Sequence, residues 1–102
     1  MVARVTTSRR SDADEAKLFI EDDVIPSLQK VPGFRGAYFL ADREASTGIS
    51  ITFWEDEAAA KESLIASAER RSRAASVTGA TFEAVDNYEV IAQTLSVVTE
   101  QK

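Results

Sequence analysis

Four side chains in this 102-residue chain are equipped to recognise a small aromatic molecule: Tyr38, Trp54, Asn87 and Tyr88. A phenolic hydroxyl on Tyr38 or Tyr88 can donate a hydrogen bond to a ligand oxyanion, although tyrosine is also a routine sheet residue whose polar tip accepts any partner. Trp54 can stack on an aromatic ring, or it can pack a strand-to-helix corner and satisfy its indole N–H locally, which is the preferred placement. Asn87 is unusual in a strand pattern; it either faces a pocket and binds a carbonyl or sits at a bulge beside Asp86. Side chains alternate along a strand, so Asn87 and Tyr88 enter one pocket only if such a bulge intervenes. Ser50 and Thr52 alternate with Ile49, Ile51 and Phe53, giving one strand face hydroxyls suited to a partly polar cavity or to cross-strand pairing. Arg4 and Arg35 can meet an anionic ligand, but paired positions at the surface or a dimer rim suit them better. Arg70, Arg71 and Arg73 read as the last turn of a helix, where cations suit the negative end of the dipole. Glu21, Asp22 and Asp23 read as a solvated face.

Two missing residue types narrow the chemistry more than any residue present. The chain has no histidine and no cysteine. Ser-His-Asp hydrolysis, ordinary zinc sites, His-ligated haem and thiolate nucleophiles are therefore excluded. Carboxylates can still hold Mg²⁺ or Ca²⁺, yet no spacing resembles a calcium loop and the four glycines form no phosphate loop, so no metal site is expected. The net charge of −5, from 12 basic and 17 acidic side chains, repels a polyanion, so nucleic acid is not an expected partner. No apolar run approaches the ~18 residues that span a bilayer and the N-terminus has no signal-peptide core, so neither a membrane nor export is expected, and the cytoplasm is the default location.

The elements that must position these residues follow from pattern and punctuation. Val2–Thr7 is β-branched and short, as a strand requires. Ser11 opens a helix with Asp12, Asp14 and Glu15 in its first turn; Phe19, Ile20, Val24 and Leu28 then recur at helical spacing. Pro26 lies inside that pattern and must kink or split the helix near Asp22. Pro32-Gly33 ends it. Strands follow over Phe34–Ala41 and Gly48–Trp54, joined through a polar loop as a hairpin. Asp56 starts a second helix that runs past Leu64 and Ala68 and exits at Gly79. Thr81–Ala92 is a fourth strand, and Leu95–Val98 a short fifth or the start of a tail. With no repeat and no linker, residues 1–102 make a single domain whose order, β-α-β-β-α-β, is ferredoxin-like α+β: an antiparallel sheet with two helices on one face.

Two helices cover one face of a four-stranded sheet, yet the strands are apolar on both. Tyr38 and Leu40 oppose Ala37 and Phe39, and Tyr88 and Val90 oppose Val85 and Ile91. Each large apolar side chain left wet forfeits about 1.5–3 kcal/mol, against a total stability of about 5–15 kcal/mol. A second copy is the simplest cover, which predicts a homodimer.

The element order, the Pro32-Gly33-Phe34-x-Gly36 joint and the Phe53-Trp54-Glu55-Asp56-x-Ala58 joint together resemble the dimeric α+β barrel superfamily, and within it the antibiotic-biosynthesis-monooxygenase-like branch. The resemblance spans Val2 to about Ala92. It implies two sheets packed face to face, a ligand pocket between helices and sheet in each protomer, and small-molecule binding that extends in some relatives to cofactor-free oxygenation of aromatic phenols or quinols. It implies no cofactor, with Tyr38, Asn87 or Tyr88 favouring a deprotonated substrate and Trp54 beside it. Haem degradation, which relatives perform with a histidine ligand, is closed to this chain. The alternative is a non-catalytic dimeric binding or stress-associated module.

Overall fold

The computed structural model describes residues 1–10 and 12–94. The expected helix start at Ser11 and the fifth strand or tail over 95–102 lie outside the described residues. Strand β1 (Val2–Arg9) is followed by α1 (Ala13–Phe19), a π-helical turn (Ile20–Val24) and α2 (Ile25–Gln29). The hairpin β2 (Phe34–Asp42) and β3 (Thr47–Trp54) comes next, then α3 (Glu57–Glu62), α4 (Leu64–Thr78) and β4 (Thr81–Glu89). The sheet order is β2-β3-β1-β4 with every pair antiparallel, as the ferredoxin-like pattern requires.

Local chemistry accounts for each boundary. Asp12 caps α1, its Oδ1 accepting from the backbone N–H groups of Asp14 and Glu15 at 3.0 Å each. Pro26 splits the first helical stretch as expected. It has no N–H to donate to the carbonyl four residues back, and the chain responds with a π turn in which the Ile25 N–H reaches the Ile20 carbonyl. Asp56 caps α3 through Ala59 N–H at 2.8 Å. The second helix is broken at Ser63 rather than continuous, and α4 runs on to Thr78, where Gly79 closes it with φ 77°. Arg73 is therefore five residues from the helix end, and dipole compensation does not explain the arginine cluster.

Two irregularities shape the sheet. Between Phe34 and Gly36 the β2–β3 register shifts, so that Arg35 is extra and pairs outward with Glu55 at 2.9 Å, as a surface arginine. On β4 the pairs Val5–Asp86, Arg4–Asn87 and Ala3–Tyr88 run regularly, and the shift falls instead opposite Thr7 and Ser8. The bulge expected beside Asp86 is thus displaced to Glu83. Asn87 and Tyr88 consequently point to opposite faces.

The two joints that frame the fold touch each other. The Glu55 N–H donates to the Gly33 carbonyl at 2.7 Å. The Phe34 ring meets Trp54 edge-on at 5.6 Å. Gly33 has φ 82°, and a Cβ there would lie 2.5 Å from the Ala59 Cβ. Leu28, Trp54 and Ala60 form the sealed core beside this seam. Gly33→Ala must adopt a left-handed backbone and displace α3, which predicts a loss of about 2–4 kcal/mol in urea unfolding. An unchanged midpoint would show that the seam tolerates a methyl group.

Candidate functional site

Alternation decides which side chains face the helices. Arg4, Thr6 and Ser8 on β1 lie opposite Thr52, Ser50 and Gly48 on β3, and all six border a cavity of about 500 Å³ between sheet and helices. Its floor is therefore a row of hydroxyls, as the alternation of Ser50 and Thr52 implied. Its walls are apolar: Phe19, Ile20, Val24 and Leu28 from the first helical stretch, Ala37 and Phe39 from β2, and Phe82 from β4. Ser67, Arg70, Arg71 and Ala74 project from α4 to close one end.

Arg4 organises that end. It is 2 % exposed. One terminal nitrogen donates to Ser63 Oγ at 3.0 Å and to Ser67 Oγ at 2.8 Å, and the other to the Ala60 carbonyl at 2.6 Å. Its Nε is buried without a partner among the described residues. The guanidinium also lies 5.4 Å from the centre of the Trp54 ring, within cation–π range. Arg70, 8 % exposed, donates to the same Ser67 Oγ at 3.0 Å. Two cations thus converge on one hydroxyl, and Arg71 stands beside them.

No carboxylate balances this cluster among the described residues. Glu21 is the acidic group lining the cavity, and Lys17 holds it at 3.3 Å. Asp23 is held by Arg73 at 2.8 Å. Burial first, then the charges of Arg71 and Arg70, draw the Arg4 guanidinium below its ordinary pKa. Burial, Arg73 and Arg71 do the same to Arg70, with Asp23 opposing, and burial alone lowers Arg71. All three nonetheless stay charged near neutrality, so this end of the cavity is positive inside an acidic protein.

Of the four aromatic and amide candidates, Asn87 and Tyr88 share the border of a second hollow, and Tyr38 and Trp54 stand apart from it. Trp54 is 0 % exposed, its indole N–H donating to Thr52 Oγ1 at 3.0 Å; it backs the Arg4 end from within the core. Tyr38 stands on the open sheet face, edge-on to Phe53 at 6.2 Å and 56 % exposed, and is among the residues bordering the cavity. Tyr88, 57 % exposed, shares that open face. Asn87 is on the helix-facing side and borders, with Tyr88 and Arg4, the second hollow beside α3. Arg4 departs from the surface or rim position expected of it, and Arg70 and Arg71 from the helix end. A signal for both was present: Arg4 has the parity of Val2 and Thr6, and Ala60, Ser63, Ser67, Arg70 and Ala74 repeat at three- and four-residue spacing, the mark of a buried helix face.

At the cavity mouth, Arg43 from the hairpin loop grips Asp14 of α1 at 3.1 Å. The hydrogen bond from Arg43, reinforced by its charge, holds the Asp14 carboxyl below its ordinary pKa. A carboxyl lowered by folding stabilises the fold above its unfolded pKa, and that contribution disappears as the pH falls through the folded value. Arg43→Gln should therefore raise the Asp14 pKa in an NMR titration. An unshifted value would show that the latch does not form in solution.

No family model and no curated protein matches the sequence. Solved structures do. The monooxygenase from the gene ActVA-Orf6 of Streptomyces coelicolor, in complex with the ligand nanaomycin D, is 24 % identical, with a TM-score of 0.66 over 93 % of this chain and 90 % of that one. SnoaB, a cofactor-independent oxygenase from Streptomyces nogalater, is 18 % identical, with a TM-score of 0.70 over 92 % and 95 %. A putative antibiotic biosynthesis monooxygenase from Deinococcus radiodurans is 12 % identical, with a TM-score of 0.66 over 96 % and 99 %. These similarities establish the fold.

Proposed function

For a protomer with the fold of the antibiotic-biosynthesis-monooxygenase-like proteins, we propose that the cavity between sheet and helices binds a flat, largely apolar small molecule. The observation that carries this reading is the cavity itself: about 500 Å³, apolar on its walls and polar in two defined places, the hydroxyl floor and the arginine end. That division suits an aromatic ligand with a few oriented oxygens. The solved neighbours described as monooxygenases raise the finer possibility of cofactor-free oxidation.

In that chemistry a phenol or hydroquinone loses a proton, and the resulting anion gives electrons to dioxygen. One oxygen atom bonds to ring carbon and the other leaves as water. The positive field of Arg4, Arg70 and Arg71 favours the deprotonated ring by the same electrostatics that stabilise any developing oxyanion. Among the described residues lining the cavity, the one carboxylate, Glu21, is paired with Lys17, and the chain has no histidine. Among the described residues, no dedicated general base is thus set beside the arginine end. This feature favours the second reading, a binding module without catalysis.

Oxygen uptake separates the two. With anthrone-like and naphthoquinol substrates, an oxygenase consumes oxygen above the buffer rate and Arg70→Gln lowers that rate by roughly tenfold, the scale of one lost charge-assisted contact. Uptake equal to buffer across the panel would overturn the oxygenase reading and leave binding.

We further propose that a second copy covers the open sheet face. Tyr38, Leu40 and Tyr88 are half or more exposed there, beside Ile49 and Ile51. The protein should sediment as a dimer at micromolar concentration, and Leu40→Glu, which forces a charge into the interface, should shift it to monomer. A wild-type monomer would overturn the assembly.

A further inference from the structure

The arginine end of the cavity carries more positive charge than a single phenolate oxygen calls for. A neutral aromatic ligand would need only the apolar walls and the hydroxyl floor. Holding two buried guanidinium groups and a half-buried third together with no carboxylate paired to them is costly, because each loses hydration and each repels the others. Arg4 partly recovers its loss through Ser63, Ser67 and the Ala60 carbonyl, yet its Nε is left unpartnered. Arg70 has one side-chain bond, to Ser67, and four further N–H donors. Arg71 borders the cavity with neither an ion pair nor a side-chain hydrogen bond among the described residues. The nearby acids that could neutralise the cluster are engaged elsewhere, Glu21 by Lys17 and Asp23 by Arg73. In an acidic protein, this placement of charge fits a ligand that brings its own anion.

Resting on the reading of this cavity as a small-molecule site, we infer that Arg70 and Arg71, backed by Arg4, form a subsite for a carboxylate, and that the ligand is an aryl carboxylic acid bound with its acid group toward α4. A planar carboxylate matches the forked donors of a guanidinium, and Arg70 and Arg71 both border the cavity where it would sit. The aromatic body then lies along the hydroxyl floor between Phe39 and Phe82. The repulsion within the empty cluster is partly relieved when an anion fills it, so ligand and protein stabilise one another.

Calorimetric titration with 3-hydroxy-2-naphthoate and with its methyl ester tests this directly, because the two share rings and phenol and differ in the anion alone. The acid should bind about tenfold or more tightly than the ester, the scale of a charge-assisted hydrogen bond. Arg71→Gln should bring the ratio of acid to ester affinity toward one, and Arg71→Lys should restore part of it. Equal binding of acid and ester by the wild-type protein would overturn the carboxylate subsite and leave the cavity reading intact. Binding of neither would overturn both. A variant that weakens both ligands equally, leaving the ratio unchanged, would show that Arg71 shapes the cavity without reading the anion.

Discussion

One guanidinium, that of Arg4, ties the two layers of this protein together. It rises from the central strand β1, passes the face of Trp54 and ends on the Ala60 carbonyl at the close of α3. The last carbonyls of a helix lack intrahelical partners and carry partial negative charge, so a cation there is favourable on two counts. The Ser63 hydroxyl donates to the same carbonyl at 2.7 Å. Together they let the chain leave α3 and restart as α4 in a new direction. From that restart follow the positions of Ser67, Arg70 and Arg71, and hence the polar end of the cavity.

The fold was readable because its boundaries are set by residues with few conformational options. Pro26 has no N–H, Gly33 tolerates a positive φ, Asp56 is a ready cap, and Gly79 ends a helix in the left-handed region. Each acts within a few residues of itself, so sequence alone locates it. The hydroxyl face of β3 was readable for a similar reason, since period-two alternation survives packing. The first helix pattern put Phe19, Ile20, Val24 and Leu28 on one apolar face, and that face borders the cavity.

The site itself was less legible, because what defines it is long-range. Whether Arg4 is a surface residue or a buried strut depends on Ser63 and Ser67, about sixty positions away. Nothing near Arg4 in sequence announces that contact. Tyr38 and Tyr88 were attractive for their chemistry, but strand parity turns their rings to the face opposite the helices. The break at Ser63 was likewise hidden, since its cause is an arginine from another element rather than a glycine or proline. A helix that reads as continuous can be divided by a charge arriving from the sheet.

The π turn at Ile20–Val24 has a consequence for how this wall of the cavity can change. Such a turn winds one more residue than an α turn, which is the mark of a single-residue insertion held in place. Asp22 is exposed on this turn, while Glu21 borders the cavity and Asp23 reaches Arg73 of α4. Losing one residue of the turn would let it close as ordinary α-helix with the flanking residues near their present faces, because the wide turn takes up its extra residue locally. Ile20 and Leu28 would still border the cavity, and the wall between them would narrow by one residue. One codon in this turn therefore alters the width of the wall and spares the faces on either side of it.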